Sequence, residues 1–366
     1  MCLKTLTVQL DKRSYPIYID DNWEALFNAL KVKGLPHKKK LLLITDENVA
    51  CWYRQPVEEL FKALKYEVTT AVVKPGEDTK TLQEAENLYT VALKANLDRN
   101  SSIAALGGGV VGDLAGFTAS TYMRGVPFIQ IPTSLLAQVD SSIGGKVAVN
   151  HPLAKNVIGS FYQPEYVLMN ISTLRTLPKR ELSSGMAELI KHGIIRDCEF
   201  LGWLEENMHD LMKLNTSKLI QGVCRSCEIK ADVVGQDEKE QGFRAILNFG
   251  HTIGHAIEAA AGYGTYTHGE AVAIGMMVEA RIGSIVNPSA VSTDYLLRIE
   301  NILKAAGLPV RLPDLEPASL LEWMQRDKKN RDGRIGFVLP AGSGRVELFH
   351  NISNEIILKA IRELKG

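Results

Sequence analysis

The chain has 366 residues, more than one compact domain usually holds, so two domains are expected. Hydrophobic residues make up 45% and charged residues 23%, the balance of an ordinary soluble globular protein. Lys+Arg and Asp+Glu both number 42, so the formal net charge is zero, which removes any global attraction to nucleic acid or to an anionic membrane.

Residues 1–10 alternate like a strand and lack the continuous apolar core of a signal peptide. No apolar run approaches the ~18 residues needed to cross a bilayer. Five cysteines in a chain this long do not suggest a disulfide framework. These features predict a cytoplasmic, reduced enzyme.

The first half alternates short β-branched runs with helical stretches. Residues 40–45 (KLLLIT) read as a buried strand ending at Asp46, after a short solvated charge run at Lys38-Lys39-Lys40. Residues 67–73 read as a second strand ending at Pro75-Gly76, and residues 81–95 as a helix. A third strand over 101–106 runs into Gly107-Gly108-Gly109, and a fourth over 126–131 is stopped by Pro132. Alternating β and α predicts a mainly parallel sheet with helices on both faces.

From about Pro178 helical periodicity dominates, over 180–195, 199–214, 217–234, 246–261 and 270–286. Strand signals return only near 335–339 and 346–349, after the turn Arg331-Asp332-Gly333. The expected organisation is therefore an α/β dinucleotide-binding domain over 1–177 and a mainly helical domain over 178–366. Cys224 and Cys227 form a C-x-x-C inside the helix predicted at 217–234, with no second pair to complete a zinc site, and are read as ordinary helix residues rather than a redox pair.

Gly107, Gly109 and Gly112 satisfy G-x-G-x-x-G, between a predicted strand and a predicted helix over 113–123. Glycines there let a backbone approach a diphosphate, and a helix N-terminus offers free N–H groups and partial positive charge. The plain alternative is a tight strand-to-helix turn with no ligand. The loop follows the third predicted strand rather than the first, and no acidic residue ends the strand that comes next. Asp46 is the better candidate for a ribose hydroxyl, so the expected fold is a relative of the Rossmann fold with its diphosphate loop placed later.

His251 and His255 stand four apart in NFGHTIGH at 248–255, so both imidazoles share one helix face. Thr252 stands where an H-E-x-x-H motif has its general base. His268 follows in THGE, and Glu188 sits on a separate predicted helix with Lys191 one turn later. One carboxylate and two imidazoles make a zinc set with open positions for substrate, and spacing alone leaves open which histidine is not a ligand.

A polar cluster runs through Asp140, Ser141, Ser142, Gly144, Gly145, Lys146, Asn150, His151, Lys155 and Asn156, with Arg124 just upstream. Arg244 lies one turn before Asn248, and Lys328 falls in a D-K-K run. Scattered lysines are usually solvated, but these flank glycines and apolar runs, which suggests a pocket for a multiply charged small anion. No aromatic ladder accompanies them, which argues against single-stranded nucleic acid.

The segments GGGVVGDLAGFTASTYMRGVPFIQIPTSLLAQVDSSIGGK (107–146), NHPLAKNVIGSFYQP (150–164), GMAELIKHGIIRD (185–197), LNFGHTIGHAIE (247–258) and HGEAVAIGM (268–276) closely resemble 3-dehydroquinate synthases, of the sugar-phosphate cyclase superfamily. The resemblance runs over essentially the whole chain. It implies a Rossmann-like NAD-binding domain followed by a mainly α-helical metal-binding domain, and a homodimer acting on a small sugar phosphate.

The resemblance assigns zinc, or cobalt, to Glu188, His251 and His268, leaving His255 to face substrate. It assigns NAD to Asp46, Glu77, Lys80, Gly107, Gly108, Gly109, Asp113, Thr133, Ser134, Asp140, Thr173, Thr176, Leu177 and Glu181. Substrate would be held by Asp140, Lys146, Lys155, Asn156, Lys191, Arg244, Asn248, His255 and Lys328, with Arg124 reaching its phosphate across the dimer interface. Lys146, Lys191 and His255 would steady developing oxyanions. The family usually reads Thr-Gly-Val-Asn after Gly-Gly-Lys, whereas this chain reads Val147-Ala148-Val149-Asn150.

The family reaction converts 3-deoxy-D-arabino-heptulosonate 7-phosphate to 3-dehydroquinate plus phosphate, the second step of the shikimate pathway. It implies transient oxidation by NAD, β-elimination of phosphate, re-reduction, ring opening and intramolecular aldol closure. Much of the proton transfer can be done by the departing phosphate, leaving the protein to position groups and fix charge. Two rivals share the plan. A 2-deoxy-scyllo-inosose synthase takes a hexose phosphate without a carboxylate, which leaves Arg244 unexplained. A glycerol-dehydrogenase-type alcohol dehydrogenase needs no clamp such as Arg124, Lys146, Lys155 and Arg244.

Overall fold

The computed structural model describes residues 3–33, 40–262, 264–312, 315–326 and 335–365. The chain runs β1 (Lys4–Val8), β2 (Tyr15–Asp20), α1 (Trp23–Lys33), β3 (Lys40–Asp46), α2 (Glu47–Ala63), β4 (Glu67–Val73), α3 (Leu82–Lys94), β5 (Ser102–Gly107), α4 (Gly109–Thr121) and β6 (Phe128–Pro132). A hairpin of β7 (Lys146–His151) and β8 (Ala154–Phe161) follows, then β9 (Tyr166–Asn170). Next come α5 (Lys179–Arg196), α6 (Cys198–Met212), α7 (Thr216–Gln236), α8 (His251–Ala261), α9 (His268–Val286), α10 (Thr293–Ala305) and α11 (Pro317–Arg326). The strands β10 (Gly336–Pro340) and β11 (Val346–His350) and the helix α12 (Asn354–Glu363) complete the chain.

Two compact units result: residues 1–177 with 219–239, and residues 178–218 with 240–366. The first break coincides with the onset of helical periodicity. Most of α7, which the sequence reading placed in the helical half, returns to the first unit. Its Cys227 lies against Met169 and its Lys230 pairs with Asp140, both first-unit residues.

The first unit is built on a seven-stranded sheet in the order β1-β2-β9-β6-β5-β3-β4. All neighbours are parallel except β1 and β2. Side chains alternate across β3: Leu42 and Ile44 join Leu88 of α3 and Leu114 and Phe117 of α4, while Leu41 and Leu43 join Phe27 of α1 and Phe61 of α2. Each face of the sheet thus has its own helical layer, as a doubly covered parallel sheet requires.

The four predicted strands correspond to β3, β4, β5 and β6. The glycine loop follows the fifth strand of the chain rather than the third, because β1 and β2 precede it. In the second unit the expected helix over 246–261 breaks: a short 3-10 turn, Phe243–Asn248, ends before Gly250, whose φ of +82° starts α8 afresh. The predicted turn Arg331-Asp332-Gly333 and the lysines 38–39 lie outside the described residues. Among the described residues, no helix is long and apolar enough to cross a membrane.

Candidate active site and metal centre

The order of the sheet marks where a ligand belongs in the first unit. From β3 the chain moves outward to β4, then returns past β3 to build β5 and β6 on the other side. The carboxyl ends of β3 and β5 therefore flank a switch point, where open α/β sheets bind ligands. Asp46 ends β3 and Gly107 ends β5.

Asp46 also caps α2, its Oδ1 accepting from Val49 N at 3.0 Å, and burial holds its carboxyl above the ordinary aspartate value. Gly107 is required by packing, since a Cβ there would fall 2.7 Å from Val111. Gly108 is the N-cap of α4 and has no side chain to satisfy the first turn. The helix therefore presents bare N–H groups at the switch point, which suits a diphosphate. Thr133 N donates to Gly107 O (2.9 Å), and Ser134 Oγ accepts from Ala137 N (3.3 Å). Thr176 Oγ1 lies 2.8 Å from Tyr53 Oη, Thr173 is buried, and the following turn ends at Leu177.

Lys80 ties predicted cofactor and substrate residues together. Its buried Nζ donates to Asp113 Oδ2 (2.8 Å) and Asn156 Oδ1 (2.5 Å), and lies 3.3 Å from Glu77 Oε1. Burial works against its charge, but Asp113 and Glu77 more than offset this and hold its pKa above the ordinary lysine value. Asn150 Nδ2 donates to Glu77 Oε1 (2.8 Å) and its Oδ1 accepts from Asn156 N (2.9 Å). Lys146 is exposed at the start of β7, and Lys155 is half-buried on β8. Arg124 is exposed on a turn with φ +66°. Val147 and Ala148, where the chain departs from the expected Thr-Gly, are both buried.

Lys230 is absent from the predicted set. It is buried on α7, where its Nζ donates to Asp140 O (2.7 Å) and to the Asp140 carboxylate. The available signal was a lysine on an apolar stripe, with Val223, Cys227 and Val234 at helical spacing on the same face. Glu240 was also missed; its Oε1 accepts from Asn248 Nδ2 at 2.8 Å.

The second unit brings together Glu188 of α5, His251 at the start of α8 and His268 at the start of α9. Glu188 is fully buried; its Oε2 pairs with Lys191 one turn on. Its Oε1 accepts no hydrogen bond and stands 3.8 Å from Nε2 of both His251 and His268. An unpartnered buried carboxylate oxygen is costly unless something completes it. A carboxylate with two imidazoles is a fitting donor set for zinc or cobalt.

The outer ring nitrogens support that orientation. His251 Nδ1 lies 3.2 Å from Phe249 O, and His268 Nδ1 lies 3.8 Å from Glu258. Both arrangements leave Nε2 facing Glu188, as in histidines that turn one nitrogen to a metal and the other to an acceptor. His255 joins the cluster, its ring centroid 5.5 Å from that of His251 and 6.3 Å from that of His268. Arg244 is buried in the turn before Asn248. Glu181 is exposed on the first turn of α5, and Lys328 lies outside the described residues.

Profiles described as the N-terminal and C-terminal parts of 3-dehydroquinate synthase match residues 70–184 and 185–330. The chain is 51% identical to a 3-dehydroquinate synthase of Desulforamulus reducens over 98% of its own length and 99% of the relative's. It is 50% identical to one of Caldanaerobacter subterraneus over 97% and 99%. Among solved structures it is similar to a 2-deoxy-scyllo-inosose synthase complexed with carbaglucose-6-phosphate, NAD+ and Co2+. That likeness has a TM-score of 0.89 and 28% identity, over 98% of this chain and 100% of the other.

Proposed function

The chain belongs to the 3-dehydroquinate synthase family, and from that premise we propose that it converts 3-deoxy-D-arabino-heptulosonate 7-phosphate to 3-dehydroquinate and inorganic phosphate, as a carbon–oxygen lyase. The observation that carries the reading is the Glu188–His251–His268 group, with its unpartnered carboxylate oxygen, in a chain about half identical to named synthases along nearly its full length. A 2-deoxy-scyllo-inosose synthase is the weaker reading, since the solved enzyme of that name is only 28% identical.

NAD and zinc or cobalt are the proposed cofactors. When bound, NAD takes a hydride from the substrate and returns it, while the metal, on Glu188, His251 and His268, acts as a Lewis acid on a substrate hydroxyl. Asp46 holds a ribose hydroxyl, and the bare N–H groups from Gly107 to Gly109 receive the diphosphate. Glu77, Lys80, Asp113, Thr133, Ser134, Asp140, Thr173, Thr176, Leu177 and Glu181 complete the NAD set.

The substrate carries a carboxylate and a phosphate, and the chain answers with localised positive charge. Lys146, Lys155, Asn156, Asp140, Lys191, Arg244, Asn248, His255 and Lys328 are the proposed substrate residues. Lys146, Lys191 and His255 steady oxyanions as they form, by charge fixed in advance. Arg124 reaches the phosphate from a second copy. Support for a homodimer comes from its exposed, left-handed turn and from the exposed apolar side chains of Met123, Leu153, Val157 and Phe161. The proposed compartment is the cytoplasm.

The test is purified protein with catalytic NAD and the heptulosonate phosphate. Phosphate should be released without accumulation of NADH. Steady NADH build-up with glycerol, or phosphate release from glucose 6-phosphate only, would sink the reading.

A further inference from the structure

The helix that carries His251 starts without a cap of its own. Its N-cap is Gly250, which has no side chain to accept from the first-turn N–H groups. The usual capping residues, Ser, Thr, Asp and Asn, do not fit there. Gly250 has φ +82°, and a Cβ on it would fall 2.6 Å from Met276 Cγ and 2.7 Å from Val272 O. The neighbouring helix presses as closely from its side: a Cβ on Gly275 would fall 2.0 Å from Gly250 O.

The cap arrives from that same neighbour. Glu279, one turn past Gly275 on α9, is fully buried. Its Oε2 accepts from Gly250 N at 2.7 Å and its Oε1 from Ile253 N at 3.4 Å. Capping carboxylates normally come from the helix's own N-cap. Here close packing of α8 on α9 forces glycine at the cap, and α9 supplies the acceptor. The start of α9, by contrast, has its own capping box of Thr267 and Glu270, and Gly269 N donates in addition to Ser184 Oγ of α5 at 2.9 Å.

The charge matters as well as the bonds. A helix N-terminus carries roughly half a positive charge, and His251 is the first residue of α8. A divalent cation on that imidazole meets an unfavourable helix end unless negative charge offsets it.

We propose that Glu279 is a positioning residue for the metal centre. By capping α8 through Gly250 and Ile253 it fixes the first turn, and so directs His251 toward Glu188 and His268. Its charge offsets the helix end beside the cation. The proposal rests on the reading of Glu188, His251 and His268 as the metal set.

The test compares wild type, Glu279→Gln, Glu279→Ala and Glu188→Gln after stripping with a chelator. Each is titrated with zinc against a chromophoric competitor, and with cobalt by visible absorption. Unfolding midpoints of the stripped proteins are measured alongside. Glu279→Gln keeps the shape and one acceptor but loses the charge. It should bind zinc on the order of ten-fold more weakly, the scale of an outer-shell partner's loss, with an altered cobalt band. Glu279→Ala should bind more weakly still, and if it fails to fold, Glu279→Gln decides. Wild-type zinc affinity in both Glu279 variants, with only the unfolding midpoint lowered, overturns the proposal and leaves the metal reading intact. A wild type that binds zinc no better than Glu188→Gln overturns both.

Discussion

Lys230 donates to both the backbone carbonyl and the carboxylate of Asp140, ninety residues earlier in the chain. The lysine is buried and Asp140 is a quarter exposed. Lys230→Met should keep most of the packing while removing that ion pair. The expected loss is about 2 kcal/mol, less than the ~3–5 kcal/mol for a fully buried pair. Urea unfolding checks it, and the double variant with Asp140→Asn should recover part of the loss. Unchanged stability of Lys230→Met would show the pair to be inconsequential.

Glu188 Oε1 faces Nε2 of both His251 and His268. Glu188→Gln should lower zinc affinity by roughly 100-fold or more, beyond the usual cost of losing a hydrogen-bond partner outside the ligands. Turnover should vanish on chelation and return with zinc or cobalt. Retention of stoichiometric zinc by Glu188→Gln after dialysis would argue against the ligand assignment.

The long elements could be read from the sequence because their periods are strong. The Leu41–Ile44 run announced a strand buried on both faces, and the α5 and α9 patterns announced helices. The strands β2 and β9 were missed, since YPIYID and YVLMN are short apolar runs with no alternation to set them apart from helix or loop. The break at Gly250 was missed because it is imposed by Met276 and Val272, residues of another helix. Glu279 and Lys230 escaped for a similar reason: a charged residue reads as surface until its partner, distant in the chain, is known. The family resemblance, rather than periodicity, separated His268 from His255.

Asp46 caps α2 and is proposed to hold a ribose hydroxyl, and substitution can separate the two roles. Asp46→Ala removes the α2 cap and should cost about 1 kcal/mol, while Asp46→Asn keeps capping capacity. Both should raise the KM for NAD if the carboxylate holds a ribose. A wild-type KM in Asp46→Asn would leave the residue as a cap alone.

The pH dependence of stability should show a step at high pH. Burial, then the nearby Glu165 and Tyr166, push the Tyr66 hydroxyl up to about 12, against about 10 in an unfolded chain. Between those values the unfolded chain releases a proton that the folded chain keeps. Stability is thus fully present below about pH 10 and falls as pH rises toward 12. Urea midpoints measured across this window should decline, and Tyr66→Phe should flatten the decline. An equal slope in the variant would exclude Tyr66 as a source.

The interrupted first unit has a consequence for biosynthesis. Strand β2 pairs with β9 through Ile17 and Val167, and Lys230 joins Asp140 only after residues 178–218, which belong to the other unit, have been made. A ribosome delivers the N-terminus first, so β2 emerges long before its partner. The nascent sheet must hold its apolar faces, Leu41 to Ile44 among them, until residue 239 clears the exit tunnel. The two units cannot mature in turn like beads on a string. That long wait is when such a chain is most open to aggregation and most dependent on chaperones.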